Sequence, residues 1–354
     1  MFKYNHLKLV VLLSVAICSK AFTAELSAIE TLYKSGEYKL VSKNLKELGT
    51  KNFTPEHFTL YINALRRMDL DDAEDAAELA IKAYPENADM YLSHAGIMGD
   101  QAQDSVFSAL GYAKKALNSL KKAVELKPDQ IKYRNALMSF YIAAPSIAGG
   151  DIELAMIEAN AIKKIDSTAG IAASARVYSA DDKPDKAIAI LNEGIKEQPN
   201  SISLHANLAS FYNMTEDFSL AITTYKKLGN LPISVDSEDF SNNEDYINAL
   251  HSEQLLILGS YYQLGRIALA SNTNLQDGID SMNRYIELYP QADFPINNLP
   301  SLDWAKLRLA GLYFENKQFS KADKLFNAVE LNKENKQMKQ VHKALGKALK
   351  KQNK

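Results

Sequence analysis

The sequence predicts an all-α protein built from a series of helix hairpins. A small residue recurs twelve positions before a proline along the chain, as Ala73 with Pro85, Ala116 with Pro128, Ala187 with Pro199 and Gly278 with Pro290. Between the two members of each pair, the apolar residues fall three and four positions apart, which is the spacing of one helical face. Recurrence of the same pattern at a spacing in the thirties indicates a repeat array.

A second helix is expected before each of these helices, because it has a pattern of its own. A leucine and a small residue precede a tyrosine at a fixed distance, as in Leu208-Ala209 before Tyr212, Leu258-Gly259 before Tyr262 and Leu309-Ala310 before Tyr313. The small residue allows two helices to approach closely, and the tyrosine ring fills the space beside it. Each repeat is therefore predicted to be one hairpin of two helices.

Together these patterns resemble the tetratricopeptide repeat family, and the resemblance covers most of the chain. It implies a right-handed superhelical solenoid of stacked helix-turn-helix repeats, with the first helix of each repeat on the concave side. We expect about eight units between residues 22 and 332. The first of them is degenerate and would form the N-terminal cap.

Two turns are longer than the pattern requires. The spacing from the tyrosine to the small residue, nine in most units, is fourteen between Tyr141 and Ala155 and sixteen between Tyr262 and Gly278. In the first insertion a proline would end one helix, two glycines permit positive φ, and Asp151 can cap the next helix. This insertion is either a structural turn or a rim loop that touches a ligand.

Three further segments depart from the pattern. We expect a lengthened join at residues 100–104, a long helix after it through Leu126, and an irregular loop at residues 229–243. Residues 333–354 are predicted to form a basic amphipathic helix that caps the exposed apolar end of the array. The alternative for this last helix is a peripheral contact with an anionic membrane surface or an acidic partner.

The start of the chain has the order of a secretory signal peptide. Lys3 and Lys8 precede the apolar run Leu9–Ile17, and small or polar residues follow. The run is too short for a membrane-spanning helix, which needs about 20 residues. We therefore expect a signal peptide at residues 1–21, with a second possible cut after residue 24, and a periplasmic or secreted protein without stable membrane insertion.

The position of the single cysteine argues against lipidation, disulfides and thiolate metal sites. The only cysteine, Cys18, follows Ile17, whereas lipoprotein processing needs a small residue there, so lipidation is not expected. Its removal with the signal would leave no thiol for a disulfide or a metal.

Charge is unevenly distributed along the chain. The net charge is −2, but the signal contributes +3 and the segment from Lys333 to Lys354 contributes +7, so the middle of the chain is near −12. An acidic body argues against nucleic acid as the partner.

The residue types that usually form catalytic or metal-binding sites are scattered along the sequence. The six histidines include no pair at metal-binding spacing, and the sequence has neither a phosphate-binding Gly-x-x-x-x-Gly-Lys loop nor a Gly-x-Ser-x-Gly nucleophile turn. The acidic clusters near Asp71 and Asp236 lack the spacing of a calcium loop. We therefore expect no metal site, no cofactor and no enzymatic activity.

The expected function is that of an extracytoplasmic scaffold that binds a protein or peptide in the concave groove. The family's groove-lining positions correspond to Asn135, Ser139, Arg176, Ser210, Asn213 and Gln263. Alanines flank Arg176 and leave space in which its guanidinium could meet a carboxylate. Two alternatives are a small-molecule or lipid carrier with an enclosed pocket, and a structural subunit of an envelope export or assembly complex.

Overall fold

The structure, a computed structural model, describes residues 26–105, 107–236, 238, 243–332 and 334–352. The regular secondary structure of these residues is entirely helical, which confirms the predicted all-α class. The α-helices, in chain order, are α1 (26–34), α2 (Tyr38–Leu48), α3 (Pro55–Leu65), α4 (Leu70–Ala83), α5 (Ala88–Asp104), α6 (Ala109–Leu126), α7 (Ile131–Ala143), α8 (Ile152–Ile165), α9 (Ser167–Ala180), α10 (Pro184–Glu197), α11 (Ile202–Met214), α12 (Phe218–Leu228), α13 (Asn243–Ser271), α14 (Leu275–Leu288), α15 (Leu302–Glu315), α16 (Phe319–Asn327) and α17 (Lys336–Gln352).

The chain divides into two compact units, Met1–Ile165 and Asp166–Lys354. Within each unit, helices that are consecutive in the chain pack against each other as hairpins. The first helices of successive hairpins also touch, as α3 does with α5 in unit one and α11 does with α13 in unit two. This sequential packing is what the repeat pattern predicts.

The recurrent small residues lie where helices cross. Ala73, Ala187 and Ala221 have no exposed surface. At Gly278 on α14, a Cβ atom would stand 2.6 Å from the Cβ of Ala268 on α13. Such a distance leaves no room for any larger residue, so the small side chains set the spacing of the helices.

The predicted turn between α7 and α8 has the expected backbone. Residues Ser146–Ala148 form one turn of 3₁₀ helix, and Gly149 follows with φ of 101°. A Cβ atom on Gly150 would lie 1.6 Å from the carbonyl oxygen of Ala144, so only glycine fits there. Asp151 accepts hydrogen bonds from the N–H groups two and three residues later and caps α8, as predicted.

The expected join at residues 100–104 is wrong, because α5 continues through Asp104 and α6 begins at Ala109. Gln101, a polar residue in this stretch, is buried and donates hydrogen bonds to Asp71 and Glu74 of α4. The favourable pairing across α4 and α5 supports the extra helical turn.

The helix α13 is 29 residues long, about twice the length of the other first helices in unit two. The segment before it is held by Glu253 of α13, which accepts a hydrogen bond from the Ser234 N–H at 2.7 Å. Residues 237 and 239–242 of the predicted loop lie outside the described residues.

The last helix, α17, packs against α15 and α16. At the other end, the predicted signal peptide at residues 1–21 and its alternative cut after residue 24 lie outside the described residues. In the part of the chain that the structure describes, no helix has both the length and the apolar character needed to cross a bilayer.

Candidate ligand-binding groove

Unit two contains a cavity of about 580 Å³ that is bounded by α11, α12, α13 and the segment after α14. Two of these helices, α11 and α13, are the first helices of successive hairpins. A volume of this order is typical of sites that hold a small molecule or a few residues of a peptide. We call this cavity the groove of unit two.

The walls of the groove are largely apolar. They are formed by Ala206, Leu228, Leu255, Leu256, Gly259 and Leu299, with the ring of Tyr225 between them. Tyr225 is buried, and burial raises the pKa of its phenol, so the ring is neutral at physiological pH. Such walls favour apolar side chains of a ligand.

Polar side chains lie among these apolar walls, at Asn207, Ser210, Ser252, Gln263 and Asn298. The Nδ2 of Asn207 donates to the carbonyl oxygen of Ser203 at 2.8 Å, which leaves the amide oxygen as an acceptor. The Nε of Arg266 donates to the Oε1 of Gln263 at 2.7 Å, which leaves the Gln263 amide nitrogen as a donor. The groove therefore offers both an acceptor and a donor, as a peptide main chain requires.

None of the described residues that line the groove carries a formal charge. A charged group placed there would lose hydration without an opposite charge in the lining to compensate it. The groove is therefore suited to an uncharged, extended segment whose main chain meets the polar side chains and whose apolar side chains meet the leucines.

The structure brings two of the six predicted site residues together. Ser210 on α11 and Gln263 on α13 line the same groove. Asn213 lies one turn beyond Ser210 on α11, outside the lining. Arg176 is exposed on α9, and the described lining comes from later elements.

The remaining two predicted residues belong to unit one. Both Asn135 and Ser139 lie on α7, where the Ser139 hydroxyl donates to the Asn135 carbonyl oxygen at 2.7 Å. No contact in the structure tests a ligand-binding role for any of the six residues, so these roles stay predictions.

Of the thirteen residues that line the groove, eleven were not predicted as site residues from the sequence, among them Leu255, Leu256, Asn298 and Leu299. The first two lie in the N-terminal part of α13, which precedes the leucine, small residue and tyrosine of the repeat pattern. Adjacent leucines on one helix project about 100° apart and widen the apolar arc beyond a single packing face, and this could have signalled a second apolar surface. The other two follow α14 in a segment with no helical period.

Unit one contains a second cavity, of about 630 Å³, between α5, α6, α7 and the turn that follows α7. Its lining is apolar except for Gln103, and it includes the large side chains of Leu110, Phe140 and Ile147. Ile147 belongs to the insertion that the sequence offered as a structural turn or a rim loop, and its side chain is 77% exposed. This turn therefore contributes directly to a cavity wall.

The described residues contain no group of three or more His, Cys, Asp or Glu side chains that could hold a metal ion. Two members of the acidic cluster near Asp71, that residue and Glu74, accept hydrogen bonds from Gln101. Their carboxylates thus already have protein partners within the α4 and α5 pair.

Comparisons with known proteins give one family and several solved structures. A tetratricopeptide repeat model matches residues 105–130. A tetratricopeptide repeat protein from Parabacteroides merdae is 15% identical at a TM-score of 0.44, with 83% of this chain and 99% of that chain covered. One from Thermus thermophilus is 16% identical at a TM-score of 0.41, with 53% and 97% covered.

A third structure, the C-terminal part of a repeat protein from Cytophaga hutchinsonii, is 14% identical at a TM-score of 0.39, with 78% of this chain and 100% of that chain covered. A comparison with curated proteins gives no match. The match over residues 105–130 shows similarity to a tetratricopeptide repeat in that segment, and the helix hairpins packed in sequence within each unit continue the same kind of arrangement beyond it.

Proposed function

We propose that this protein is an extracytoplasmic scaffold that binds an extended segment of another protein in the groove of unit two and catalyses no reaction. A series of helix hairpins supports a role in protein interaction, because hairpins stacked within a unit present an extended surface to a partner. The external location rests on the predicted signal peptide at residues 1–21 and is part of the proposal.

The main support for this proposal is the groove of unit two. Ser210 and Gln263 were selected because they match groove-lining positions of the family that the sequence resembles, and both line a single cavity with apolar walls. The side chains around them offer hydrogen bonds to a main chain but no charge. An uncharged stretch of peptide with apolar side chains satisfies both requirements better than a charged metabolite does.

A peptide selection tests this function. Random dodecapeptides displayed on phage are selected on the protein, and the dissociation constants of the enriched peptides are measured by fluorescence anisotropy. Ser210→Arg places a long charged side chain over the groove, and we expect it to weaken binding at least tenfold. The matched control is Ser219→Arg on α12, which makes the same change at an exposed position away from the lining.

Enriched peptides that rely on the groove should be rich in apolar residues and should bind the control variant like the unchanged protein. Equal affinity for both variants would refute binding in the groove. A selection that enriches no peptide would contradict the proposed function as a whole.

A second candidate function is that of a carrier for an apolar small molecule. The cavity of unit one favours it, because its lining is almost entirely apolar and the turn after α7 forms one of its walls. Filling it by Ala143→Trp should expel a ligand that native mass spectrometry detects on the unchanged protein. Retention of that ligand by the variant would rule out this cavity as its site.

A further inference from the structure

The helix α17 has two faces, and one of them is fully used by the fold. Met338 and Leu349 are buried where α17 packs on α15 and α16. The ring of His342 stacks on Phe326 of α16 at a centroid distance of 4.2 Å. The apolar face of this helix is therefore occupied by unit two itself.

The opposite face is a row of lysines. Six of them, Lys336, Lys339, Lys343, Lys347, Lys350 and Lys351, are exposed. At 3.6 residues per turn they fall within an arc of about 120°, centred opposite the buried residues, and they extend over about 22 Å of the helix. We call this surface the lysine face.

The charge of the lysine face is not balanced locally. The helix α17 contains no Asp or Glu, and its first turn, where a negative charge would be favourable, begins with Lys336. In the described part of the chain, no ion pair to a carboxylate involves these lysines. Elsewhere several lysines are paired, as Lys115 is with Glu74 and Lys226 is with Asp277.

Helix stability explains only Lys350 and Lys351, because the helix dipole favours positive charge in the last turn. Lysines close together on one face repel each other, and a lysine in the first turn opposes the helix dipole. A cap needs a polar outer face, but it does not need that face to carry a single sign of charge. A ligand with many negative charges would explain it.

We propose that the lysine face binds the surface of a membrane that contains anionic phospholipids. A straight row of ammonium groups can meet a flat surface along its whole length, and the attraction of the lysines to anionic headgroups adds up. Because the apolar face of α17 is occupied, the contact is electrostatic and does not require insertion into the acyl layer.

A membrane fits better than a nucleic acid. The remainder of the chain between the predicted signal and this helix is near −12 and would repel a polyanion that extends past the helix. The lysine face also offers no arginine and no aromatic side chain for contacts to bases. Attraction to a bilayer needs neither, because lysines bind anionic headgroups by charge alone.

Vesicle sedimentation tests the proposal. The protein is mixed with vesicles of phosphatidylcholine alone or with 30% phosphatidylglycerol, chosen as about one anionic lipid in three so that several headgroups face the lysines. We expect binding only to the anionic vesicles, and loss of binding between about 0.1 and 0.5 M NaCl, where the Debye length shortens from about 10 Å to about 4 Å.

The variant Lys339→Gln, Lys343→Gln, Lys347→Gln should bind at least tenfold more weakly. The control Lys39→Gln, Lys51→Gln, Lys121→Gln removes the same charge from exposed positions in unit one and should bind like the unchanged protein. All proteins begin at residue 22, after the predicted signal peptide, so the apolar run Leu9–Ile17 contributes no vesicle binding in any of them. Circular dichroism checks that both variants retain their helices.

Equal binding of the two triple variants, or equal binding to neutral vesicles, would overturn the proposal. Direct binding of a DNA duplex that the Lys339, Lys343 and Lys347 variant loses, combined with no binding to either vesicle, would assign the lysine face to nucleic acid instead. Either result leaves the groove of unit two as a separate question, because the two surfaces share no residue.

Discussion

His94 on α5 is a buried histidine whose Nδ1 lies 2.8 Å from the Ser119 hydroxyl oxygen on α6. Burial is the main cause that lowers its pKa below the ordinary 6.5, and the carboxylates of Glu78 and Glu74 only partly oppose this effect. The folded protein therefore keeps this ring neutral at a pH at which the unfolded chain already binds a proton.

The consequence is a loss of stability in mild acid. Above pH 6.5 both states hold the ring neutral, and as the pH falls below that value the unfolded state alone takes up the proton. One proton lowers the free energy of unfolding by at most about 1.4 kcal/mol per pH unit. Urea unfolding of His94→Gln should show a weaker decline between pH 7.5 and 5 than the unchanged protein; equal declines would contradict this.

Replacing glycine with alanine should have opposite effects on stability at Gly278 and at Gly111. A methyl group at Gly278 would meet Ala268 at 2.6 Å and a Leu312 methyl at 3.0 Å, so Gly278→Ala should destabilise the protein by about 1–3 kcal/mol. Gly111 on α6 has no neighbour within 4 Å of such a group, and Gly111→Ala should stabilise it by about 0.5–1 kcal/mol. Thermal unfolding should show a lower midpoint temperature for Gly278→Ala and a higher one for Gly111→Ala. A shift in the same direction for both variants would exclude packing as the cause.

At the scale of single elements, the turn after α7 depends on its own sequence. Gly150→Ala would force a methyl group against the Ala144 carbonyl oxygen, and we expect a loss of about 2–4 kcal/mol in the free energy of unfolding. Asp151→Ala removes only the cap of α8 and should cost about 1 kcal/mol. Denaturant unfolding should rank the two variants in this order; the reverse order would mean that the turn relaxes around Gly150.

The repeat pattern predicts the helix hairpins because it marks where two helices touch. Ala73, Ala187 and Tyr262 were all identified from spacing, and all are buried at helix contacts. The same pattern cannot predict the first half of α13, which has no counterpart in the other repeats. The join after α5 was misplaced because the buried hydrogen bonds of Gln101 depend on partners 27 and 30 residues away.

The groove was also predictable only in part, because some of its residues lie outside the repeated helices. Ser210 and Gln263 lie on first helices at positions that match the groove-lining positions of the family the sequence resembles, so that resemblance locates them. Asn298 and Leu299 lie in an irregular segment after α14, and no periodicity indicates which wall that segment completes. Sequence reasoning can therefore propose the helical part of such a site and misses the part that loops supply.

For the molecule as a whole, the groove and the lysine face should respond differently to salt. No described residue of the groove lining is charged, so the affinity of a selected peptide should change less than twofold between about 0.05 and 0.5 M NaCl. Binding to anionic vesicles should be lost over the same range. A peptide affinity that falls steeply with salt would place the peptide on a charged surface instead.

The most direct test of the central claim is photo-crosslinking from the groove. A photoreactive benzoylphenylalanine replaces Ser210 in one protein and Ser219 in another, and each is irradiated with a peptide obtained by selection on the unchanged protein. The account predicts a covalent adduct at position 210, and mass spectrometry should place the linkage on an apolar residue of the peptide. An adduct of equal yield at position 219, or none at position 210 under conditions in which the peptide is bound, would contradict it.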